Sequence, residues 1–280
     1  MKALNADLHC HSTVSDGLLA PAELVGRAHG NGVELLALTD HDEIGGLDEA
    51  AAAARQIGLR FVNGVEISVS WGDDQTVHIV GLDFNQTFAP LVDGLARVRS
   101  GRDSRAQLIA AELDKVGIHG AYEGALKYAG NPALISRSHF ARYIVELRHA
   151  KEVKGVFDWW LAKGKPGYVA HPWASLEDAL GWIAGAGGIA VLAHPGRYRL
   201  SGAEMEEMLG IFKDMGGVGI EVLSGSHNEE HVREYAHKAR RYGFLASRGS
   251  DFHGPGESWV DLGRLPDLPE DLVPVWTKFN

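Results

Sequence analysis

Six short motifs of histidine and carboxylate, each placed where an apolar run stops, constrain this chain more than any other feature. Asp7-Leu8-His9-Cys10-His11-Ser12 sets two imidazoles two residues apart. An extended backbone therefore turns both to one face and Cys10 to the other. Thr39-Asp40-His41-Asp42 closes the run Glu34–Thr39, and Gly64-Val65-Glu66-Ile67-Ser68 closes the run that begins at Arg60. Val77-His78-Ile79-Val80-Gly81, Ala193-His194-Pro195-Gly196 and Ser250-Asp251-Phe252-His253 follow. Asp16, in the turn Val14-Ser15-Asp16-Gly17, is placed to return a carboxylate over the first histidine pair. Six histidines and three acids are thus expected at the C-terminal ends of parallel strands, where α/β folds gather their active sites.

Taken singly, each residue has an ordinary reading. A strand-end histidine is commonly a hydrogen-bonded structural group, Asp16 or Asp251 serves as a turn or cap residue, and Cys10 packs as a small apolar side chain. Nine such residues in one register make a metal cluster the better reading. Mixed imidazole and carboxylate donors suit Mn²⁺, Fe²⁺ or Zn²⁺ better than Mg²⁺ or Ca²⁺, which prefer all-oxygen shells.

Strand and helix signals alternate on either side of these motifs. Runs at 188–193, 218–222 and 243–247 read as strands, and Leu47–Ile57, 175–186, 203–215 and 228–242 read as helices. That alternation implies parallel strands joined by helical crossovers. Between them, about Leu91 to Lys163 is helical in pattern, with several Arg and Lys and no convincing strand. The expected division is a discontinuous barrel, 1–88 with 165–280, and a helical insertion, 89–164, that caps the site. The tail with Pro266, Pro269 and Pro274 reads as surface-wrapped coil.

The net charge of −10 over 280 residues argues against a broad surface for duplex DNA. A single cysteine rules out an internal disulfide and suggests a reducing compartment. The first residues carry no apolar signal run and no stretch reaches membrane-spanning length, so a cytoplasmic, membrane-free protein is expected. No G-x-x-x-x-G-K-[ST] loop and no Ser-His-Asp or cysteine nucleophile motif is present. A clustered divalent centre instead suits phosphate esters: it offsets the charge that repels nucleophiles and lowers the pKa of bound water. A metal-activated hydroxide is the expected nucleophile, and Arg197, three residues past His194, is placed to stabilise the transferring phosphoryl group. A nearby imidazole such as His227, or a bound water, would protonate the leaving oxygen. Arg97, Arg99, Arg102 and Arg105 crowd one stretch, and Arg137 with His139 forms an R-x-H pair. Helices bearing several Arg are usually solvated faces. Trp159, Trp160, Trp173 and Trp182 are candidates for base stacking, though buried packing is the commoner use of such residues.

The motifs D-x-H-x-H-S, T-D-H-D, G-V-E, A-H-P and S-D-x-H resemble the signature of the polymerase and histidinol phosphatase (PHP) family, and all five stand intact here. The segments Ile135–Arg142, Gly164–Val169, His194–Tyr198 and Glu221–His227 resemble, more narrowly, its branch of 3′,5′-nucleoside bisphosphate phosphatases and 5′–3′ exoribonucleases. This resemblance implies a distorted seven-stranded (β/α) barrel with a small helical insertion. It implies two or three divalent ions, Mn²⁺ foremost, with Fe²⁺ or Zn²⁺ as alternatives. His9, His11, Glu66 and Asp251 would hold the first ion, Asp16, His41 and His253 the second. Glu66 would bridge to a third, shared with His78 and His194. Several PHP relatives have histidine where Asp16 stands; the harder carboxylate favours Mn²⁺ or Fe²⁺ over Zn²⁺. The expected catalytic set is Asp16, His194 and Arg197.

The resemblance also turns the arginine cluster from a solvated face into a site. Arg102, Arg105, Ser136, Arg137 and His139 would grip a 5′-phosphate while the centre attacks the 3′-phosphate, converting pAp to AMP and phosphate. The nearest alternative is a 5′–3′ exoribonuclease on short 5′-phosphorylated RNA with the same centre. An alternative of another class is a non-catalytic, metal-binding structural or regulatory module. Such modules tend to lose ligands, and none of the nine is lost here. Histidinol phosphate is a poorer fit, because the arginine-bearing insertion would have little to do.

Overall fold

A computed structural model of the chain describes residues 4–72 and 75–279. The N-terminal reading above therefore lies partly outside the described residues, at Met1 to Ala3. Seven strands form one sheet in sequential order: β1 (Ala6–Asp7), β2 (Leu35–Leu38), β3 (Arg60–Trp71), β4 (Gln75–Leu82), β5 (Ile189–Leu192), β6 (Gly219–Ser224) and β7 (Leu245–Gly249). The circle closes just past β1 and β7. Leu8 N donates to Arg248 O (3.1 Å), Asp251 N to His9 O (2.8 Å) and His11 N to Phe252 O (2.8 Å). The result is the distorted seven-stranded α/β barrel expected from the motifs.

Period-two alternation fixes what the barrel holds. Ala6 and Leu8, Leu35 and Ala37, Val80 and Leu82, and Val191 and Ala193 share one buried cluster in the barrel's interior. The opposite strand faces join a larger cluster with the surrounding helices, among them Pro21–Gly30, Leu47–Ile57, Leu176–Gly185, Gly202–Asp214 and Glu229–Tyr242. The inward row that is apolar at Leu82 and Val80 becomes polar at His78 and Thr76. An apolar plug thus underlies a polar mouth.

Three expectations are corrected. The strands are not all parallel: β4 runs antiparallel to both β3 and β5. Strand β3 does not stop near Glu66 but runs on to Trp71, because Ile67, Val69 and Trp71 continue the alternation and pair with β4. Glu66 and His78 therefore sit in mid-strand, Glu66 opposite Val80 and His78 opposite Ser68, and not at parallel strand ends. The tail is not mere surface coil either. Ala246 N donates to Val273 O (2.8 Å), and Val275 is fully buried in the interior cluster. An apolar side chain is needed there because the barrel's lower end is otherwise open to water.

Residues 89–164 contain no strand. Leu91, Leu95 and Val98 of the helix Ala89–Ser100 pack in the main core. A second core runs from Ala106 to Leu161, centred on Ile109, Leu113, Phe140 and Ile144. Among the described residues no helix is long and apolar enough to cross a membrane.

Candidate metal centre

All nine expected ligand residues meet at the barrel mouth. Glu66 lies at the middle and is fully buried. Its Oε1 is 2.8 Å from His78 Nδ1, 2.9 Å from His194 Nε2 and 3.3 Å from His9 Nε2. Its Oε2 is 2.9 Å from His41 Nδ1 and 3.4 Å from His11 Nε2. Asp251 Oδ1 lies 3.2 Å from His11 Nε2 and 3.5 Å from His9 Nε2. Asp16 Oδ1 faces His253 Nε2 at 3.5 Å, His41 Nε2 at 3.9 Å and His11 Nδ1 at 4.0 Å.

The donor atoms fall into four overlapping sets, each within 4.8 Å: His11, Asp16, His41 and His253; His9, His11 and Asp251; His9, Glu66 and His194; His41, Glu66 and His78. Buried His9 Nε2, His11 Nδ1 and Asp16 Oδ1 have no hydrogen-bond partner. Orphaned buried polar atoms are costly, and here they converge. The donor set fits divalent cations.

Electrostatics fit as well. Burial opposes ionisation of Glu66, yet His78, His9 and His41 around it hold its carboxyl well below the usual range. Asp16 is lowered against its burial by His41, His253 and His11. His11 is pushed down to about 3 by burial and by His253 and His41, and His194 to about 3 by burial and Arg197. His11 and His194 are thereby held neutral, the form that ligates cations. Against their burial, Glu221 and Glu66 raise His9, and Glu66 and Asp16 lift His41 to about 9, so those two rings would give up a proton to a bound cation.

Several residues that hold this set were not singled out from sequence. Glu221 is chief among them. Its Oε1 is 2.7 Å from His9 Nδ1, and its Oε2 accepts from His194 N at 2.6 Å. The carboxylate thus fixes the His9 ring with Nε2 turned inward, the carboxylate–histidine arrangement found behind metal ligands. Its sequence signal was a lone acid in the apolar run Val218–Val222. Asp7 accepts from Ser250 N and Gly263 N, both at 2.8 Å. Asp40 accepts from Ser12 N (2.8 Å), Ser12 Oγ (2.6 Å) and Ser15 Oγ (2.5 Å). The first and second motifs therefore spend Asp7 and Asp40 on tying the ligand-bearing loops together. Cys10 is buried, with Sγ 3.2 Å from Ala37 O, as packing requires. Close approach demands glycine at one point: a Cβ on Gly249 would lie 2.2 Å from His9 Cβ. Asp251 and His194 themselves have positive φ (53° and 25°), backbone strain of the kind that gathers at functional sites.

A cleft opens over the centre, lined by Asp16, His41, His78 and His253 together with Arg102, Arg105, Ser136 and Arg137. Arg105 is buried and donates to Val169 O (2.9 Å); burial and the neighbouring Arg137 and Arg102 lower it to about 9. Arg137 donates to Leu161 O (3.4 Å) and stacks over Phe157. Among the described residues neither guanidinium has a carboxylate in ion-pair range. Arg102 differs, being paired with Asp42. Trp173 lies beneath Arg102 and Arg105, 4.8 and 5.2 Å from their guanidiniums, so it supports cations where base stacking was considered. Trp182 is buried against Gly94, and Trp159 is exposed. Arg197 is half-exposed, lines the cleft and donates to Asp251 Oδ2 (2.6 Å).

Four other side chains do not line the cleft. His139 is fully buried, accepts from Ser136 N (3.0 Å) and does not line the cleft. Arg97 stacks on Trp182, while Arg99 donates to Asp42 O (2.7 Å). His227 places Nδ1 3.1 Å from Val222 O and accepts from Gly196 N at Nε2 (3.1 Å), so both ring nitrogens are engaged and it anchors the Arg197 loop. No free ring proton remains for the leaving oxygen.

Comparison with known proteins gives a consistent picture. The PHP domain family model matches residues 7–225. The chain is 52% identical over 276 residues to a 3',5'-nucleoside bisphosphate phosphatase of Chromobacterium violaceum, covering 99% of this chain and 96% of the relative. It is 41% identical to a 5'-3' exoribonuclease of Haemophilus influenzae, with 98% of each chain covered. A solved structure of an amidohydrolase from Chromobacterium violaceum with bound sulfate superposes with a TM-score of 0.95 at 51% identity, covering 98% of this chain and 95% of that one.

Proposed function

The chain belongs to the PHP domain family, and from that premise we propose that it removes the 3′-phosphate of nucleoside 3′,5′-bisphosphates such as pAp. It is a metal-dependent hydrolase of phosphate esters. One observation carries the substrate assignment. The same cleft is lined by residues of the histidine–carboxylate centre, which would receive an anion once it holds cations, and by Arg105 and Arg137, which have no carboxylate partner among the described residues. A substrate with phosphates at both ends of one nucleoside satisfies both.

His9, His11, Glu66 and Asp251 would hold one ion, and Asp16, His41 and His253 a second. Glu66 with His78 and His194 would hold a third. Mn²⁺ is the ion this mixed donor set favours, before Fe²⁺ or Zn²⁺. Bound ions would supply charge neutralisation and an activated water. The chain does the rest. Arg197, at the cleft wall and against Asp251, adds positive charge where the transferring phosphoryl group gathers negative charge. Arg105 and Arg137, held over Trp173 and Phe157, grip the second phosphate, while Ser136 beside them commits its hydroxyl to Asp16. Residues 89–164 act as the insertion that carries this grip. The single buried cysteine suits a cytoplasmic enzyme.

A second reading is a 5′–3′ exoribonuclease on short 5′-phosphorylated RNA, favoured by the Haemophilus influenzae relative. The Arg105–Arg137 pair would then measure one nucleotide from the terminus. The deciding experiment incubates Mn²⁺-loaded protein with pAp and with a 5′-phosphorylated oligoribonucleotide. Phosphate release from pAp is expected; mononucleotides from the oligomer would establish the second activity. If neither substrate is cleaved, the proposal fails.

A further inference from the structure

Arg142 has no part in the cleft, yet it contacts a residue of the centre. It lies in the helix Arg137–Glu146, is almost fully buried, and donates from Nε and Nη2 to Glu257 Oε1 and Oε2, both at 2.8 Å. Nη2 also donates to the backbone oxygen of Asp16 (2.5 Å). Glu257 belongs to the loop that follows His253. One guanidinium therefore joins the helical segment to the two loops that bring Asp16 and His253 together. The same helix touches Asp16 a second time, where its N-cap Ser136 donates from Oγ to Oδ2 (3.1 Å).

We propose that Arg142, oriented by Glu257, is a positioning residue that holds Asp16 in ligating position, so that the helical segment completes the cation site of Asp16, His41 and His253. The inference rests on reading those residues as a cation site. Its logic is geometric. Asp16 sits in a turn whose flanks are tied: Ser15 N and Gly17 N donate to Ser12 O (3.1 and 2.8 Å), Leu18 N to His253 O (2.7 Å) and Ser15 Oγ to Asp40. These bonds leave the Asp16 carboxylate and carbonyl to other partners. Its Oδ1 stands 3.5 to 4.0 Å from three imidazoles, with no hydrogen bond to fix it. The contacts made to Asp16 itself come from the other domain-like core: the Ser136 hydroxyl on its carboxylate, and a planar fork that meets Glu257 with two bonds and the Asp16 carbonyl with a third. A lysine ammonium at this position cannot make the three contacts at once.

The test is calorimetric titration of Mn²⁺ into the full chain and into Arg142→Lys, Glu257→Gln and the charge-swapped pair Arg142→Glu with Glu257→Arg. Folding is checked by circular dichroism. In Arg142→Lys, one class of Mn²⁺ site is expected to weaken 10- to 100-fold, the range for lost outer-shell support. The remaining sites should stay unchanged, and kcat for pAp should fall with KM within about twofold. The swapped pair restores the ion pair but leaves no donor at position 142 for Asp16 O, and should remain weak. Wild-type Mn²⁺ affinity in folded Arg142→Lys, or its full recovery in the swapped pair, would overturn the proposal. Absence of any Mn²⁺ binding by the unmodified chain would instead overturn the reading of the centre itself.

Discussion

At the scale of single residues, metal chemistry was legible because few side chains can do it. Histidine and carboxylate in short motifs along or just past apolar runs named all nine residues that now meet within the four donor sets. Glu221 escaped because its role exists only after β6 is laid beside β5, when it reaches both His9 and the backbone of His194. Glu221→Gln keeps the volume but surrenders the charge that orients the His9 ring. Mn²⁺ affinity is expected to fall about 10- to 100-fold with the fold retained, checked by calorimetric titration beside a thermal melt; unchanged affinity would deny Glu221 this role. Among the described residues, Arg137 of the cleft lining donates to a backbone carbonyl and holds no carboxylate. Its charge is thus available to a substrate phosphate. Arg137→Ala should raise KM for pAp about tenfold or more while kcat falls less, the loss of a charge-assisted contact worth roughly 1.5–3 kcal/mol. Steady-state kinetics measure the split, and a drop confined to kcat would count against a binding role.

At the scale of elements, pattern reading found most strands and helices and missed one direction. Alternation marks a strand's faces but not its polarity, so the run Val77–Leu82 fits a parallel or an antiparallel β4 equally well. The β3–β4 hairpin is what moves Glu66 and His78 into mid-strand, where Glu66 can reach five imidazoles. Strand packing here leaves no tolerance at Gly64, whose added Cβ would lie 2.5 Å from Leu38 O and 2.7 Å from Thr39 Cγ2. Gly64→Ala must push β2 away from β3 and is expected to destabilise by about 1–3 kcal/mol, the usual range for overpacking; a denaturant midpoint equal to that of the parent chain would contradict this. A capping residue shows the same economy. Ser136 accepts from Ser138 N (3.2 Å) as N-cap and donates to Asp16 Oδ2. Ser136→Ala should cost about 1 kcal/mol as a lost cap, seen in chemical denaturation. It should also lower kcat through Asp16, an effect that a cap with no tie to the centre would not produce.

At the scale of the whole molecule, two apolar cores stand beside a polar mouth whose acids were placed there at a cost to stability. The barrel interior, down to Val275, and the separate cluster from Ala106 to Leu161 supply the burial. Neither partner was visible from sequence, since the tail's prolines disguised Val275 and helical periodicity does not say which core a helix joins. Against that burial stand Glu66, Asp16 and His11, buried with atoms that lack hydrogen bonds. Removing water from a carboxylate is expensive unless charge returns. Cations bound at the mouth return it, and they bind the folded chain far better than the unfolded one. Each ion at 100 times its dissociation constant therefore adds about 2.7 kcal/mol to stability. For a domain of this size a kcal/mol moves Tm by roughly 2–4 °C, so one ion corresponds to a rise on the order of 5–10 °C. Calorimetric scans of chelator-treated protein, with and without added Mn²⁺, should show that shift. Asp251→Ala removes a donor shared by His9 and His11 and leaves Arg197 without its carboxylate, so it should shrink the increment and also lower the metal-free Tm. A Tm that ignores Mn²⁺ in the parent chain would mean that the buried charges at the mouth are balanced by the protein alone.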